Sequence, residues 1–222
     1  MDAKLKSEIV DCFERSLDAR HENETPYKHW LVDNVLPENV ITDFQKLDFE
    51  CFSYEEGYGR REIYNKHRNY FDVENNQKYA SCGAMAEAFQ SEDVVKKIED
   101  TLDVKLGGSN LRIEFAQDMD GFWLEPHTDV GAKLFTMLLY LSDEEGHETL
   151  GTDIYASKDE HVGRSPFAPN HALIFIPSDK TYHGFEKRPI KGIRKSIIVN
   201  YVKPEWRSRE ELAYPNEPVV GR

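Results

Sequence analysis

The second half of the chain consists of short, β-rich runs, and this feature constrains the fold more than any other. From about residue 110, β-branched and aromatic runs alternate with Gly, Pro, Asp and Asn. No helical segment separates the runs, so we expect antiparallel pairing in a sandwich or barrel and not a parallel, doubly wound sheet. The runs are LRIEFAQ (111–117), KLFTMLLYLS (133–142), LGTDIYA (150–156), HALIFIP (171–177), TYHGFEKR (181–188) and KSIIVNYV (195–202).

The first half has a helical pattern. Apolar residues at helical spacing predict an amphipathic helix in the first twenty residues, and 84–104 also reads as a helix that ends near Gly107-Gly108. HWLVDNVLP (29–37) predicts a strand and a turn, with a helix opening at Pro37. We therefore predict one mainly β domain over 1–222: an N-terminal helical and lid part (1–109), a β-barrel core (110–203) and a tail (204–222) with a short helical stretch around 207–212.

Charge and cysteine content indicate which classes of binding partner are disfavoured and which cellular compartment is expected. The net charge of −13 disfavours binding to nucleic acid or to anionic membranes, because the field of the protein repels phosphate. No apolar run approaches the roughly 20 residues of a membrane span, and no signal peptide is recognisable at the N-terminus. Three widely spaced cysteines form no CxxC pair, which predicts a reducing, cytoplasmic location and no disulfide framework.

The segment Glu125-Pro126-His127-Thr128-Asp129 carries the strongest chemical signal. His127 and Asp129 lie two residues apart at a strand end, so both side chains point to the same side. An imidazole and a carboxylate are two of the three ligands of a 2-His-1-carboxylate iron site. The alternative is a strand-end turn capped by Asp129.

A second histidine has to come from elsewhere, and His183 is the best candidate. It lies in a strand-like run, whereas His147, His161 and His171 lie near loops and read as surface or structural residues. Eleven residues after His183 comes Arg194-Lys195-Ser196, in which Arg194 and Ser196 share a strand face. A guanidinium beside a hydroxyl suits a carboxylate ligand. A core histidine bonded to backbone remains the alternative for His183, and Asp153 is a weaker rival carboxylate.

Taken together, His127-Thr128-Asp129, His183 and Arg194-Lys195-Ser196 resemble the HxD…H…RxS pattern of Fe(II)/2-oxoglutarate-dependent oxygenases, over roughly residues 110–202. The resemblance implies a prolyl-hydroxylase-like double-stranded β-helix, that is, a jelly-roll or cupin-like barrel. It also implies Fe(II), 2-oxoglutarate as co-substrate and dioxygen. Because the carboxylate is retained at Asp129, the likeness favours hydroxylation over chlorination. The implied metal ligands are His127, Asp129 and His183, and the implied 2-oxoglutarate residues are Arg194, Ser196, Tyr140 and Leu138.

The basic, Tyr-rich segment GYGRREIYNKHRNY (57–70) stands out from the acidic average. It could form a lid that clamps an anionic small molecule, or a solvated loop that pairs with surface carboxylates. Trp123 could wall the substrate pocket or pack as a barrel aromatic. Arg112 could point into the pocket, although solvent is the default for an antiparallel strand. The candidate substrate residues are Arg60, Arg61, Arg68, Tyr64, Arg112 and Trp123.

The leading hypothesis is a 2-oxoglutarate-dependent dioxygenase that hydroxylates an unactivated C–H bond of a small metabolite, anionic or neutral, or of an amino-acid-type substrate. Succinate and CO2 would be released. The alternatives are a hydroxylase of protein or peptide side chains and a non-catalytic, cupin-like binding barrel. Nucleic-acid demethylation is a minor option that the charge balance opposes. The sequence does not fix the oligomeric state.

Overall fold

The computed structural model describes residues 3–51, 68–129 and 131–222. The described residues of the first half form five α-helices: α1 (Ala3–Asp18), α2 (Glu38–Gln45), α3 (Val73–Lys78), α4 (Ala80–Gln90) and α5 (Glu92–Leu102). The same described ranges contain three short strands: β1 (His21–Asn23), β2 (His29–Asp33) and β3 (Asn69–Tyr70). The N-terminal part is therefore not only helical, because it also supplies strands to the sheet described next.

Eight strands follow: β4 (Asn110–Asp118), β5 (Leu124–His127), β6 (Lys133–Tyr140), β7 (Asp153–Ser157), β8 (Glu160–Arg164), β9 (His171–Phe175), β10 (His183–Phe185) and β11 (Arg194–Val202). A seven-stranded sheet has the order β1-β2-β9-β6-β11-β4-β3, and a four-stranded sheet has the order β5-β10-β7-β8. All neighbouring strands are antiparallel, as predicted. Among the described residues no strand pairing joins the two sheets, so the predicted barrel is an open pair of facing sheets.

The large sheet buries both faces, and period-2 alternation assigns each strand residue to one of them. One face packs against the helices: Phe13 and Phe89 lie with Ile113 and Phe115 in the main hydrophobic core. The opposite face of the large sheet meets the small sheet, where Tyr140 packs with Phe185. The space between the sheets is therefore walled on both sides by side chains from non-adjacent strands.

The predicted helix over 84–104 is two helices. The first, α4, starts four residues earlier than predicted, at Ala80, and the chain breaks at Ser91, which has extended dihedral angles. The Ser91 side chain accepts a hydrogen bond from the backbone N–H of Val94 and so caps α5. Asp103, in the left-handed conformation, ends α5. Residues 90–93 are all polar, and Ser91 followed by Glu92 and Asp93 is a helix-start signal that the prediction of a single helix overlooked.

The tail packs along the edge of β4. Ala213 N–H donates to the Leu111 carbonyl, and Val219 N–H donates to that of Ser109. The predicted helical stretch is one 3-10 turn over Arg209–Glu211. Within the described residues, no helix combines the length and the apolar character needed to cross a bilayer.

Candidate metal centre

The pairing of β5 with β10 sets His127 directly opposite His183. Their ring centroids are 4.4 Å apart. Gly184 permits this approach, since a Cβ at that position would lie 2.7 Å from the Leu124 carbonyl oxygen. Asp129, two residues beyond β5, places Oδ1 3.9 Å from His127 Nε2 and Oδ2 3.7 Å from His183 Nε2. The structure thus brings together the three side chains that the sequence pattern singled out, with candidate ligand atoms all within 4.8 Å of one another.

Both imidazoles are oriented to offer Nε2. His127 Nδ1 lies 2.9 Å from the Glu125 carbonyl oxygen, and His183 Nδ1 lies 3.0 Å from that of Thr181. A carbonyl can only accept, so each Nδ1 carries the hydrogen and each Nε2 keeps its lone pair. Burial, followed by the neighbouring His127, lowers the pKa of His183 to about 3. A neutral imidazole is the form that binds a metal ion.

The other histidines that the structure describes do not belong to this group. His171 makes the same local bond, with Nδ1 3.0 Å from the Pro169 carbonyl oxygen, but it belongs to neither candidate metal-binding group of the described residues. His147 is buried between the Ser142 hydroxyl and the Lys191 carbonyl. These are the structural roles expected from sequence, and only His183 lies opposite His127.

A second cluster, Asp153 with His161 and Glu186, is better explained by ion pairing than by a metal ion. The buried Asp153 carboxylate accepts from Arg164 Nε and Arg188 Nη1, each at 2.7 Å. Two guanidinium groups already balance its charge, so a cation would have to displace them.

Lys133 is a feature of the site that sequence analysis missed. Its Nζ lies 2.6 Å from Asp129 Oδ2, and the exposed fractions of the two side chains are 4% and 7%. Lys133 opens β6 and pairs with Val202 across the sheet, while Gly131 at φ +95° turns the chain between the two residues. A spacing of four residues predicts a side-chain contact within a helix but not across a loop, so no sequence signal pointed to this ion pair.

Arg194 and Ser196 face the space between the sheets, as their spacing predicted. Arg194 Nε donates to the Leu150 carbonyl at 2.8 Å, and Nη1 donates to Asp118 Oδ2 at 2.6 Å. Ser196 is buried, and its Oγ has no hydrogen-bond partner among the described residues. An orphaned buried hydroxyl beside a guanidinium fits a bound carboxylate, which could accept from both.

Tyr140 and Leu138 differ in their relation to this space. Leu138 lines it. The Tyr140 ring centroid lies 5.8 Å from the Arg194 guanidinium carbon, but its hydroxyl bonds to Thr152 Oγ1 at 2.9 Å and to Ser165 Oγ at 2.6 Å. Thr152 lines the cavity where Tyr140 does not. A direct role of Tyr140 in holding 2-oxoglutarate stays a prediction.

One cavity between the sheets is lined by the three candidate metal ligands together with Lys133, Leu138, Arg194 and Ser196. Its charged lining among the described residues consists of three cations and three anions: Arg68, Lys133, Arg194, Glu114, Asp118 and Asp129. Its apolar lining includes Phe122, Leu124, Leu138, Phe185 and Ile198. A largely apolar cavity with a few convergent polar groups is typical of a small-ligand site.

The predicted substrate residues are only partly found in this cavity. Arg68 lines it, whereas neither Arg112 nor Trp123 does, and Phe122, the neighbour of Trp123 in the chain, lines it instead. Arg112 is 1% exposed and is engaged by Glu114, Glu211 and Asn200, so the solvent-facing default for this strand was wrong. The second sheet and the tail cover a face that an isolated antiparallel strand would expose. Arg60, Arg61 and Tyr64 lie outside the described residues.

Comparison with known proteins identifies structures that share this fold. No family model matches the sequence, and no curated protein matches it significantly. Among solved structures, a prolyl 4-hydroxylase from Phytophthora capsici matches with a TM-score of 0.60 at 11% identity, covering 91% of this chain and 67% of that one. The chain has the prolyl hydroxylase fold. This confirms the jelly-roll architecture that the HxD…H…RxS resemblance implied.

Two further prolyl hydroxylases share this fold. A Trichoplax adhaerens prolyl hydroxylase, in complex with a peptide fragment of the hypoxia inducible factor oxygen degradation domain, has a TM-score of 0.57 at 12% identity. The match covers 89% of this chain and 90% of that one. A viral collagen prolyl hydroxylase from Paramecium Bursaria Chlorella virus-1, a 2OG complex, has a TM-score of 0.52 at 11% identity, covering 79% and 96%.

Proposed function

We propose that the chain is an Fe(II)- and 2-oxoglutarate-dependent hydroxylase. The observation that carries the proposal is the convergence of His127, His183 and Asp129 in one cavity with Arg194 and the orphaned hydroxyl of Ser196. Two neutral imidazoles and one carboxylate form the donor set that suits non-haem Fe(II). The prolyl hydroxylase fold supports the same reading.

Each group has a defined task in this proposal. Bound Fe(II) and 2-oxoglutarate would supply the oxidising chemistry, in which dioxygen hydroxylates a C–H bond while succinate and CO2 are released. His127, His183 and Asp129 would hold the metal ion, with Lys133 fixing the second oxygen of Asp129. Arg194 and Ser196 would bind the distal carboxylate of the co-substrate. Apolar side chains such as Phe122 and Phe185 would exclude water from the reacting atoms.

A metal and turnover assay tests the proposal. The purified protein, supplied with Fe(II), ascorbate and 2-oxoglutarate, should release succinate, and His183→Ala, His127→Ala or Asp129→Ala should lose both metal binding and succinate release. His171→Ala is a matched control, because its Nδ1 makes the same bond to a backbone carbonyl outside the cluster. Variants at any two of the three positions that keep normal metal affinity would refute the metal assignment.

The primary substrate has two candidate classes. The basic segment 57–70 favours a small anionic metabolite or amino acid, although most of that segment lies outside the described residues. A peptide or protein side chain is the second candidate. Two observations favour it: the solved complex with a peptide fragment, and the equal numbers of cations and anions among the described residues that line the cavity. Fe(II) and the 2-oxoglutarate dianion also cancel in charge, so a neutral reacting group would meet no electrostatic penalty.

Mass spectrometry separates the two classes. The wild-type protein and His183→Ala are incubated with a metabolite extract or with a peptide library that contains prolyl residues. A gain of one oxygen atom in small molecules alone supports the first class, and the same gain in peptides alone supports the second. The inactive variant controls for non-enzymatic oxidation by iron.

The three cysteines are free thiols, in keeping with the cytoplasmic location, which stays a prediction.

A further inference from the structure

We propose that Arg68 and Asp118 complete the co-substrate anchor: Asp118 orients Arg194, and Arg68 offsets the negative charge of Asp118. This inference rests on the proposed function, because it assumes that Arg194 binds the distal carboxylate of 2-oxoglutarate. It gives Arg68 a role toward the co-substrate instead of the primary substrate.

The three side chains form one bridged group. Asp118 and Arg194 are directly opposite on β4 and β11, so their side chains lie on the same face of the sheet. Asp118 Oδ2 accepts from Arg194 Nη1 at 2.6 Å, and Asp118 Oδ1 lies 2.8 Å from Arg68 Nη1. All three side chains are buried and line the cavity. One carboxylate is therefore shared between two guanidinium groups.

The charge of this group decides whether it can attract an anion. The pair of Arg194 with Asp118 is neutral by itself, and a second carboxylate approaching Arg194 would also approach Asp118. Like charges repel strongly in a site of low dielectric constant. With Arg68 included, the group carries one net positive charge, which is what a bound carboxylate needs. Arg68 is thus required for anion binding even without direct contact with the ligand.

Arg68 is held in place for this role by two further contacts. Its Nε lies 3.4 Å from Glu114 Oε1, and its guanidinium lies over the Phe122 ring at 5.5 Å. Glu114 is also paired with Arg112, 2.8 Å away, and Arg112 pairs in turn with Glu211. Arg68 thus lies between the carboxylates of Asp118 and Glu114, and its loss would leave uncompensated negative charge close to Arg194.

A series of charge-removing variants tests the inference. The affinity for 2-oxoglutarate is measured by calorimetry with anaerobic, Mn(II)-loaded protein, so that no turnover is needed. Arg68→Met should weaken binding by about tenfold to a hundredfold, whereas Arg68→Lys, which keeps the charge, should stay within about threefold of wild type. The double variant Arg68→Met/Asp118→Asn should regain most of the lost affinity, because Asn removes the repelling charge and keeps an oxygen acceptor for Arg194.

Thermal unfolding of the metal-free proteins controls for folding. Arg164→Met is the matched control, since Arg164 also pairs with a buried carboxylate but does not line the cavity. It should leave the affinity for 2-oxoglutarate unchanged. If Arg68→Met does not fold, Arg68→Gln, which keeps a polar side chain but removes the charge, takes its place in the comparison with Arg68→Lys and with the double variant.

The outcomes separate this inference from the proposed function. Normal 2-oxoglutarate affinity in Arg68→Met, or a double variant as weak as Arg68→Met, would overturn the role of Arg68. A higher requirement for the primary substrate with unchanged 2-oxoglutarate affinity would overturn it as well. If wild type itself does not bind 2-oxoglutarate, or Arg194→Met binds it normally, the proposed function fails, and this inference fails with it.

Discussion

Lys133 holds the carboxylate of Asp129 from within the protein: its ammonium lies 2.6 Å from Oδ2, and both side chains are buried. Each of the two histidines of the cluster is fixed by the carbonyl group of the residue two positions before it in the chain. Asp129 lies beyond the end of β5, outside regular structure, and depends on a residue of another strand. Lys133 therefore orients Asp129, as the nearby backbone carbonyl groups orient the two histidines.

Replacing Lys133 should weaken metal binding without unfolding the protein. Partners that orient a metal ligand are typically worth about 10–100-fold in metal affinity, so we expect a loss of that size in Lys133→Met. Titration of the metal-free protein with Co(II), followed by its absorption spectrum, measures the affinity. Lys203→Met is the control, because Lys203 is exposed and its backbone pairs with Ala132 in the same region. Equal Co(II) affinities of Lys133→Met and wild type would contradict this role.

Ser196→Ala should have opposite effects on stability and on co-substrate binding. The orphaned Oγ costs free energy in the ligand-free protein, so its removal should leave the free energy of unfolding unchanged or raise it by about 1 kcal/mol. The affinity for 2-oxoglutarate should fall several-fold, because one donor to the carboxylate is lost. Urea unfolding and calorimetry measure the two quantities. A clear loss of stability would mean that the hydroxyl is satisfied in the ligand-free protein.

Tyr140→Phe should affect stability more than co-substrate binding. The hydroxyl group bonds to Thr152 and Ser165, and losing it should cost about 1–2 kcal/mol of the free energy of unfolding. Tyr201→Phe is the control: its buried hydroxyl donates to the Phe89 carbonyl, on the helix side of the sheet. We expect both variants to bind 2-oxoglutarate with similar affinity. A tenfold or greater loss confined to Tyr140→Phe would show that this hydroxyl holds the co-substrate directly.

Asp153 should make the stability of the protein depend on pH in the acid range. Burial raises the pKa of Asp153, but hydrogen bonds from the Glu186 N–H and from Arg188 and Arg164 outweigh it, and the pKa is lowered below the ordinary value of 3.8. Its ionised form therefore stabilises the fold above about pH 4, and this contribution is lost as the pH falls through the lowered pKa.

The variant Asp153→Asn removes this contribution at all pH values. It should lower the free energy of unfolding by about 3 kcal/mol at neutral pH, because Arg188 and Arg164 lose their buried partner. Urea unfolding between pH 7 and pH 3 should give a constant difference from wild type above about pH 4 and a smaller one below. Glu186→Gln is the control, since that carboxylate is half exposed and 3.7 Å from Arg164. A difference that does not narrow in acid would contradict the lowered pKa.

Much of the β architecture and the central cluster could be predicted from local patterns. Alternation of period two puts Arg194 and Ser196 on one face of any sheet that contains them. The six strand-like runs after residue 110 match β4, β6, β7, β9, β10 and β11, whereas β5 and β8 were not among them. His127 and Asp129 are close because two residues separate them. The break at Ser91 was missed, although Ser91 followed by Glu92 and Asp93 is a local signal for the start of a helix.

The sequence by itself determined which side chains alternate, which segments form strands and which residue types could bind a metal ion. Only the tertiary structure decided that Lys133 holds Asp129 and that Asp118 bridges Arg68 and Arg194. It also decided that Arg112 is buried beneath the tail, where it pairs with Glu211. The physical reason is that a buried charge needs a partner of opposite charge, and strand order and register decide which residue of the chain lies close enough to be that partner. Arg68 and Asp118 are separated by 50 positions in the chain, and no local pattern encodes their contact.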